Sequence, residues 1–505
     1  MPVFVGCDLG TMGTKAAVVD ADGQILGGAF EEVPLRCPQP GWVEQDLGEI
    51  EASAHRTIRA ALATSGRAGD VAGVAFSGQM SGIGAIDDGF RPATRFDSWL
   101  DTRCEPYIVA MNEHAARVVE LSGCPPTYSH GPKILWWRRE RPQDYRRIAR
   151  FLVPGAFVAG RLCGLPARDA FIDRTYLHFS NLSDTERAAW SPELLDAFGL
   201  EERVLPRIVD PLEVVGSVTR AGEAATGIPA GTPVAAGAGD QTAASLGAGV
   251  VDPGQAFDSA GTASVFAMCV DAFAPDAAHR TLMATHSVIR GVWIALAFIN
   301  GGGLALRWFR DHVATSLAGD PDAYARLDGL AAAVEPGSGG LLWLPHLQGR
   351  VLPPQPAVRG GWVGLTSGHE HGHLFRAILE GIAYEYAEWA RLAAGAAGAD
   401  LREARVLGGG ARSRLWNQIK ADVLGINWVP TVRQECGVLG DALIAAAATG
   451  HADDLAATAK AWQQTEEPAR PDPVRHRRYQ ELLAAHRELG ERVAPVFERL
   501  GRRSG

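Results

Sequence analysis

Between Cys7 and Lys15 the chain reads Cys-Asp-Leu-Gly-Thr-Met-Gly-Thr-Lys. An acid, two glycines, two threonines and a lysine are crowded between two apolar runs. Tight Gly-Thr turns between strands expose backbone N–H groups, and such groups bind anions well. Thr11 and Thr14 add hydroxyl donors, and Lys15 adds a cation. Asp8 repels a bare phosphate. It attracts one carrying Mg²⁺, a hard cation that favours carboxylate oxygens and keeps several waters. The stretch reads as a phosphate-binding hairpin with an acid on its metal side. The alternative is a plain hairpin with a solvated acid. A second turn of the same design, Gly261-Thr262, sits inside Phe257–Val265 and suits the far side of the same phosphate chain. A third candidate is the run Gly408-Gly409-Gly410, followed by a helix near Arg412, where a flat ring or a phosphate can approach the backbone closely. No GxxxxGK[ST] occurs, so a P-loop is excluded. The triple glycine lacks the third glycine of GxGxxG and an acid at dinucleotide distance.

These turns need strands on either side. Residues 3–9, 14–20 and 24–30 read as three strands joined by tight turns, 49–63 as a helix and 71–76 as a further strand ending at Ser77-Gly78. The theme returns in the second half, with strands at 292–298 and 404–408 and helices at 301–312, 372–394 and 438–449. Alternation of this kind means α/β architecture. Residues 105–215 read as a helix-rich inserted lobe, and the chain from about 455 as a charged, peripheral helical tail. A length of 505 residues is too great for one core. The expected division is 1–246, 247–455 and a tail 456–505.

Composition narrows the function classes. A net charge of -10 argues against nucleic acid as the main partner, since a phosphate-binding surface needs a basic field. No long apolar run suggests a membrane span, and Asp8 interrupts the one apolar stretch at the start. Seven scattered cysteines without CxxC spacing read as reduced thiols, hence a cytoplasmic protein. The expected partner is a small molecule, with no nucleic acid and no membrane; a homodimer is left open. His369–His373 satisfies HExxH, the zinc protease signature. The segment lies at a helix start and contains Gly372, and Glu380 and Glu385 follow on the same helix, so no separate third ligand presents itself.

Ten segments together resemble the FGGY carbohydrate kinase family of the actin-like ATPase superfamily: DLGTMGTKAAVVDADG (8–23), PGWVEQD (40–46), SGQMSG (77–82), WLDTR (99–103), GAGDQTAASLG (237–247), SAGTASV (259–265), GGGLALRW (301–308), LPHLQGRVLPP (344–354), RAILEGIAYE (376–385) and GGGARSRLWNQIKADVLG (408–425). The resemblance implies two ribonuclease-H-like domains that close over ATP and a sugar or polyol, with a cleft between them. It implies phosphoryl transfer to an alcohol, with Asp240 as the base and Asp8 holding a metal-bound water. Thr11, Gly13, Lys15, Gly261 and Thr262 would touch phosphates, and Gly303, Gly409, Gly410 and Ala411 would surround the nucleotide, with packing as the alternative for these glycines. Arg414 and Asn417 lie nearby. The acceptor side would comprise Gln79, Met80, Ser81, Trp99, Asp101, Arg103 and Gln241; core packing is the alternative for Trp99, and a structural ion pair for Arg103.

The match departs from pattern at two positions. Xylulokinases carry histidine after the Gln-Met pair, where Ser81 stands here. They usually carry asparagine after the catalytic aspartate, where this chain has Gln241, as glycerol kinases do. D-Xylulose is the leading acceptor; ribulose, gluconate, glycerol and other polyols stay open. A non-catalytic ATP-binding switch or sugar sensor is the rival class, disfavoured by the acceptor-side motifs.

Overall fold

The computed structural model describes residues 1–501. The first lobe is built on β1 (Val3–Leu9), β2 (Gly13–Asp20), β3 (Ile25–Glu32), β4 (Val71–Gly78), β5 (Val214–Ser217) and β6 (Pro233–Ala235). They lie in the order β5-β6-β4-β1-β2-β3, and the short strand Ala238–Gly239 adds to the end of β4. β1 to β3 form antiparallel hairpins, while β4 runs parallel to β1 and sets Ser77 opposite Asp8. Helices α1 (Leu47–Ser65) and α2 (Pro154–Cys163) cover one face. Strand periodicity explains the choice of face: Val3, Val5, Cys7 and Val18 point to α1 and α2, and Phe4, Ala17 and Val19 point the other way. Asp46 caps α1 by accepting from the N–H groups of Gly48 and Glu49. Helix α3 (Asp240–Gly247) closes the lobe.

The second lobe repeats the plan with β7 (Gln255–Ala260), β8 (Ser264–Val270), β9 (Met283–His286) and β10 (Trp293–Ile299), then α4 (Gly302–His312), α5 (His371–Ala397), β11 (Glu403–Leu407), α6 (Arg414–Leu424), β12 (Asn427–Pro430) and α7 (Cys436–Ala448). The strand order is β9-β10-β8-β7-β11-β12, with β11 parallel to β7. In each sheet the first strand sits in the middle, its hairpin partner on one side and a parallel strand on the other. Gly10-Thr11 and Gly261-Thr262 therefore occupy equivalent turns. Both halves are mixed α/β, as ribonuclease-H-like domains are.

Helix α7 departs from simple succession. It belongs to the second half of the chain, yet Val438, Leu439, Ala442, Leu443 and Ala446 pack on Phe4, Ala17, Val19, Ala75 and Ala235 of the first sheet. The approach is at backbone distance: a Cβ on Gly6 would stand 2.0 Å from the Val438 carbonyl oxygen, and one on Gly247 1.9 Å from that of Cys436.

The tail differs from expectation. Helix α8 (Pro473–Gly501) is not peripheral along its length, because Tyr479 and Leu483 recur at helical spacing among its charges and are buried in the core with α5 residues. The Tyr479 hydroxyl donates to Glu380 (2.8 Å) and accepts from Arg376 (2.9 Å), both on α5. Among the described residues no helix is long and apolar enough to cross a membrane.

Candidate active site

Three carboxylates from three elements meet where the two lobes join: Asp8 near the end of β1, Asp240 at the start of α3, and Asp441 in the middle of α7. Asp240 is half-buried. Its Oδ1 accepts from the Gln241 backbone N–H at 2.7 Å, and the Gln241 side chain also interacts with the carboxyl. Burial, and secondarily the charge of Asp8, pushes its carboxyl up to about 7. Asp8 is raised too, by burial, with Lys15 and the Ser77 hydroxyl acting against the rise. Asp441 is fully buried and raised well above the usual range by burial and by Asp8.

The floor under these acids is braced from the inserted lobe. The Tyr176 hydroxyl reaches two carbonyl oxygens, Gly78 at 2.9 Å and Ala238 at 3.2 Å, one just before the Gln79 loop and one just before Asp240. The Gly239 N–H donates to Thr175 Oγ1 (2.9 Å), which also contacts Asp173 Oδ1 at 2.5 Å. Met80 lies under the same turn; a Cβ on Gly239 would meet its Cε at 2.4 Å.

Of the residues expected on the acceptor side, Gln79 and Trp99 come together through Thr11. Trp99 Nε1 donates to Thr11 Oγ1 (2.8 Å), and Thr11 donates to Gln79 Oε1 (3.3 Å). Gln79 Nε2 donates to Gln45 Oε1 (2.7 Å), and Gln45 in turn donates to the Thr11 carbonyl oxygen (3.2 Å). Gln79 is thus buried and engaged within the protein. Ser81 is half-buried, and its hydroxyl makes no hydrogen bond among the described residues. His130 contacts the Met80 carbonyl oxygen through Nε2 at 2.7 Å. Asp101 and Arg103 form a buried ionic knot. Arg103 binds Asp101 and Glu44, each at 2.7 Å, and lies 3.7 Å over the Trp42 ring. Asp97 completes the knot at 3.6 Å, pushed up to about 7 by burial despite Arg103. Gln241 is half-buried, with Oε1 shielded and without a partner.

A cavity of about 540 Å³ opens in the second lobe. Gly261, Thr262, Gly303, Gly409 and Gly410 line it, and Leu379, Phe375 and Trp416 supply apolar wall. The glycines differ in kind. A Cβ at Gly303 would stand 2.4 Å from the Gly261 carbonyl oxygen, and one at Gly410 2.4 Å from the Ala260 Cβ, so both are required by packing. A Cβ at Gly409 meets nothing within 4 Å. Ala411 lies beside the cavity rather than on its wall, and its carbonyl accepts from Asn417 Nδ2 (2.8 Å). Gly13 is buried against Phe30 and Glu31, where a Cβ would come within 2.3 Å of the Glu31 carbonyl oxygen. Lys15 pairs with Glu435 at 2.5 Å, immediately before α7.

The HExxH segment straddles a helix start. Helix α5 begins at His371, Glu370 caps it, and His369 lies ahead of it, its Nδ1 3.0 Å from the Thr366 N–H. The two histidines therefore do not share a helix face. Among the described residues no group of three His, Cys, Asp or Glu side chains is placed to hold a metal ion.

Ser77, Tyr176, Glu435 and Asp441 escape the sequence reading. Only Asp441 leaves a signal there: it is the one charge in the apolar run Val438–Ala448, and a lone acid in such a run is either partnered or functional.

Residues 3–247 match the N-terminal domain of the FGGY family of carbohydrate kinases, and residues 257–449 its C-terminal domain. A xylulose kinase of Escherichia coli K12 is 28% identical over 98% of this chain and 100% of its own length. A gluconokinase of Bacillus subtilis is also 28% identical, over 90% of this chain and 88% of its own. The crystal structure of xylulose kinase from Rhodospirillum rubrum superposes with a TM-score of 0.89 at 26% identity, covering 98% of this chain and 99% of that one.

Proposed function

The chain belongs to the FGGY family of carbohydrate kinases, and on that footing we propose that it transfers the γ-phosphate of ATP to a hydroxyl of a ketopentose, D-xylulose first, with Asp240 as the general base. One observation carries the choice of base. Asp240 stands at the junction of the lobes beside Asp8, with its carboxyl raised to about 7, close to the pH at which a base both ionises and accepts a proton readily.

The division of labour follows the two sides. Residues 1–246 bind the acceptor, with Ser81 as the free hydroxyl and Trp99 as the aromatic wall. Residues 247–455 bind the nucleotide in the 540 Å³ cavity, and the described part of the 456–505 tail buttresses that lobe through Tyr479 and Leu483. Gly261-Thr262 and Gly409-Gly410 cradle the phosphates by backbone N–H groups, and Thr11 and Lys15 approach from the opposite hairpin. Lys15 first exchanges its exposed partner Glu435, a replacement that costs little.

Asp8 fits a Mg²⁺ role. The absent side chain at Gly437 leaves room beside it, since a Cβ there would stand 3.2 Å from Asp8 Oδ2. Lone carboxylates suit Mg²⁺ that arrives with phosphates and keeps its waters. Asp8 would hold such an ion through its waters, and the ion would supply positive charge against the charge that develops in transfer. The acceptor hydroxyl gives its proton to the Asp240 carboxylate as its oxygen bonds to phosphorus and ADP leaves.

The deciding experiment is ADP release with Mg·ATP across ketopentoses, ketohexoses, glycerol, other polyols and gluconate. A dominant pentulose supports the proposal. A dominant gluconate or polyol replaces the acceptor and keeps the reaction. Nucleotide binding without any stimulated turnover overturns the kinase reading in favour of a sensor.

A further inference from the structure

Asp441 is the acid that the proposed chemistry leaves unused. It is fully buried, the one charge on α7, and only one of its oxygens has a partner among the described residues. That partner is Ser77. The Ser77 hydroxyl oxygen lies 2.9 Å from Asp441 Oδ2 and 3.4 Å from Asp8 Oδ1. A hydroxyl carries one hydrogen and cannot donate to two carboxylates at once. Both contacts become hydrogen bonds when Asp441 is a neutral acid that donates to Ser77, and Ser77 donates onward to Asp8.

The location of the proton follows from the surroundings. Lys15 lies opposite Asp8 across the β1–β2 hairpin, whereas Asp441 is fully buried and no hydrogen bond or ion pair among the described residues joins it to a cation. A neutral Asp441 also keeps a third negative charge away from an incoming polyphosphate.

We propose that Asp441 is a positioning residue: through the Ser77 hydroxyl it fixes the orientation of the Asp8 carboxylate, and so ties that carboxylate to helix α7 of the other half of the chain. The inference rests on the reading of Asp8 as the acid that serves Mg²⁺. Asp441 itself touches neither metal nor substrate in this scheme.

The test is calorimetric binding of ADP with and without Mg²⁺, which needs no turnover. Wild type is compared with Ser77→Ala, Asp441→Ala and Asp441→Asn, each checked for cooperative thermal unfolding. In wild type Mg²⁺ should tighten ADP binding. Ser77→Ala and Asp441→Ala should each lose about 3- to 10-fold of that Mg²⁺-linked gain, the size of one lost hydrogen bond. Asp441→Asn should restore it to within about twofold, because an amide N–H donates to Ser77 as a neutral acid does. Two results overturn the proposal: an undiminished gain in Asp441→Ala, or an Asn variant as damaged as the Ala variant, which would mean that the carboxylate charge itself acts. If Asp441→Ala fails to fold, Ser77→Ala decides, since it cuts the same link from the β4 side; an undiminished gain there also overturns it. Absence of any Mg²⁺-linked gain in wild type overturns the metal reading of Asp8 and this inference with it.

Discussion

The two sides of the junction are built in opposite ways. The cavity of the second lobe is open, and one part of its wall is bare backbone, where Gly261, Gly303, Gly409 and Gly410 contribute no side chain. The acceptor side is a closed web of side chains, in which Trp99, Thr11, Gln79 and Gln45 bond one another and Asp101, Arg103 and Glu44 form a buried knot. Bare backbone suits phosphates, which it can meet with N–H groups. A web of side chains fixes shape in advance, so under the proposed function differences among acceptors would be read by the few groups left over, Ser81 foremost. Changes on the first side should move affinity, and changes on the second should move stability and specificity together.

Asp240 stands outside both walls and should show the largest effect. Asp240→Asn is expected to lower kcat about 10²- to 10⁴-fold, the usual worth of a general base, with ADP affinity by calorimetry within about twofold. Turnover within tenfold of wild type would remove Asp240 from that role.

Breaking the acceptor-side knot should come next, and through stability. Arg103→Met leaves Asp101 and Glu44 buried without their cation, a loss of about 3–5 kcal/mol in chemical denaturation. An unchanged midpoint with a weakened acceptor KM would mean that Arg103 serves the ligand directly.

The pH profile sharpens the same contrast. With Asp240 near 7, kcat/KM should rise about tenfold per pH unit below that value and level off above it. The stability sign is opposite. A carboxyl raised in the folded state binds its proton more tightly than in the unfolded chain, so its cost to stability grows from about pH 4 to about pH 7 and is complete above. Asp240→Asn should therefore be more stabilising in thermal unfolding at pH 8 than at pH 5; an equal effect at both would contradict the raised value.

The smallest effects separate the glycines of the nucleotide wall. Gly303→Ala forces a Cβ against the Gly261 carbonyl oxygen and should cost about 1–3 kcal/mol of stability. Gly409→Ala meets nothing and should leave the melting temperature unchanged while weakening ADP binding severalfold. Equal behaviour of the two would show that the wall is not divided between packing and binding glycines.

What was legible in the sequence was local. The hairpins around Gly10-Thr11 and Gly261-Thr262 are dictated by turn residues between β-branched runs, and the repeat of that theme foretold the repeated sheet. Asp240 is singled out by the resemblance, since on its residues alone an acid after glycine reads as a turn or N-cap acid. Long-range partners were not. Nothing near Lys15 announces Glu435, and nothing near Ser77 announces Asp441, 364 residues away. The engagement of Gln79 with Gln45 is likewise invisible in the loop that carries it. The tail was misjudged because its charges masked Tyr479 and Leu483, the residues that anchor it. HExxH illustrates the converse: a correct spacing whose first histidine lies outside the helix on which the spacing would matter.

The placement of α7 has a consequence for how the chain is made. One face of the first sheet is finished when residues 436–448 arrive, long after the rest of that lobe has left the ribosome. At about 5–20 residues per second, the stretch from Gly247 to Cys436 takes about 10–40 s to synthesise. For that interval Phe4, Ala17, Val19 and Ala75 have no permanent cover. The nascent first half is an unfinished surface waiting for its lid, and a chain truncated before Cys436 would wait indefinitely.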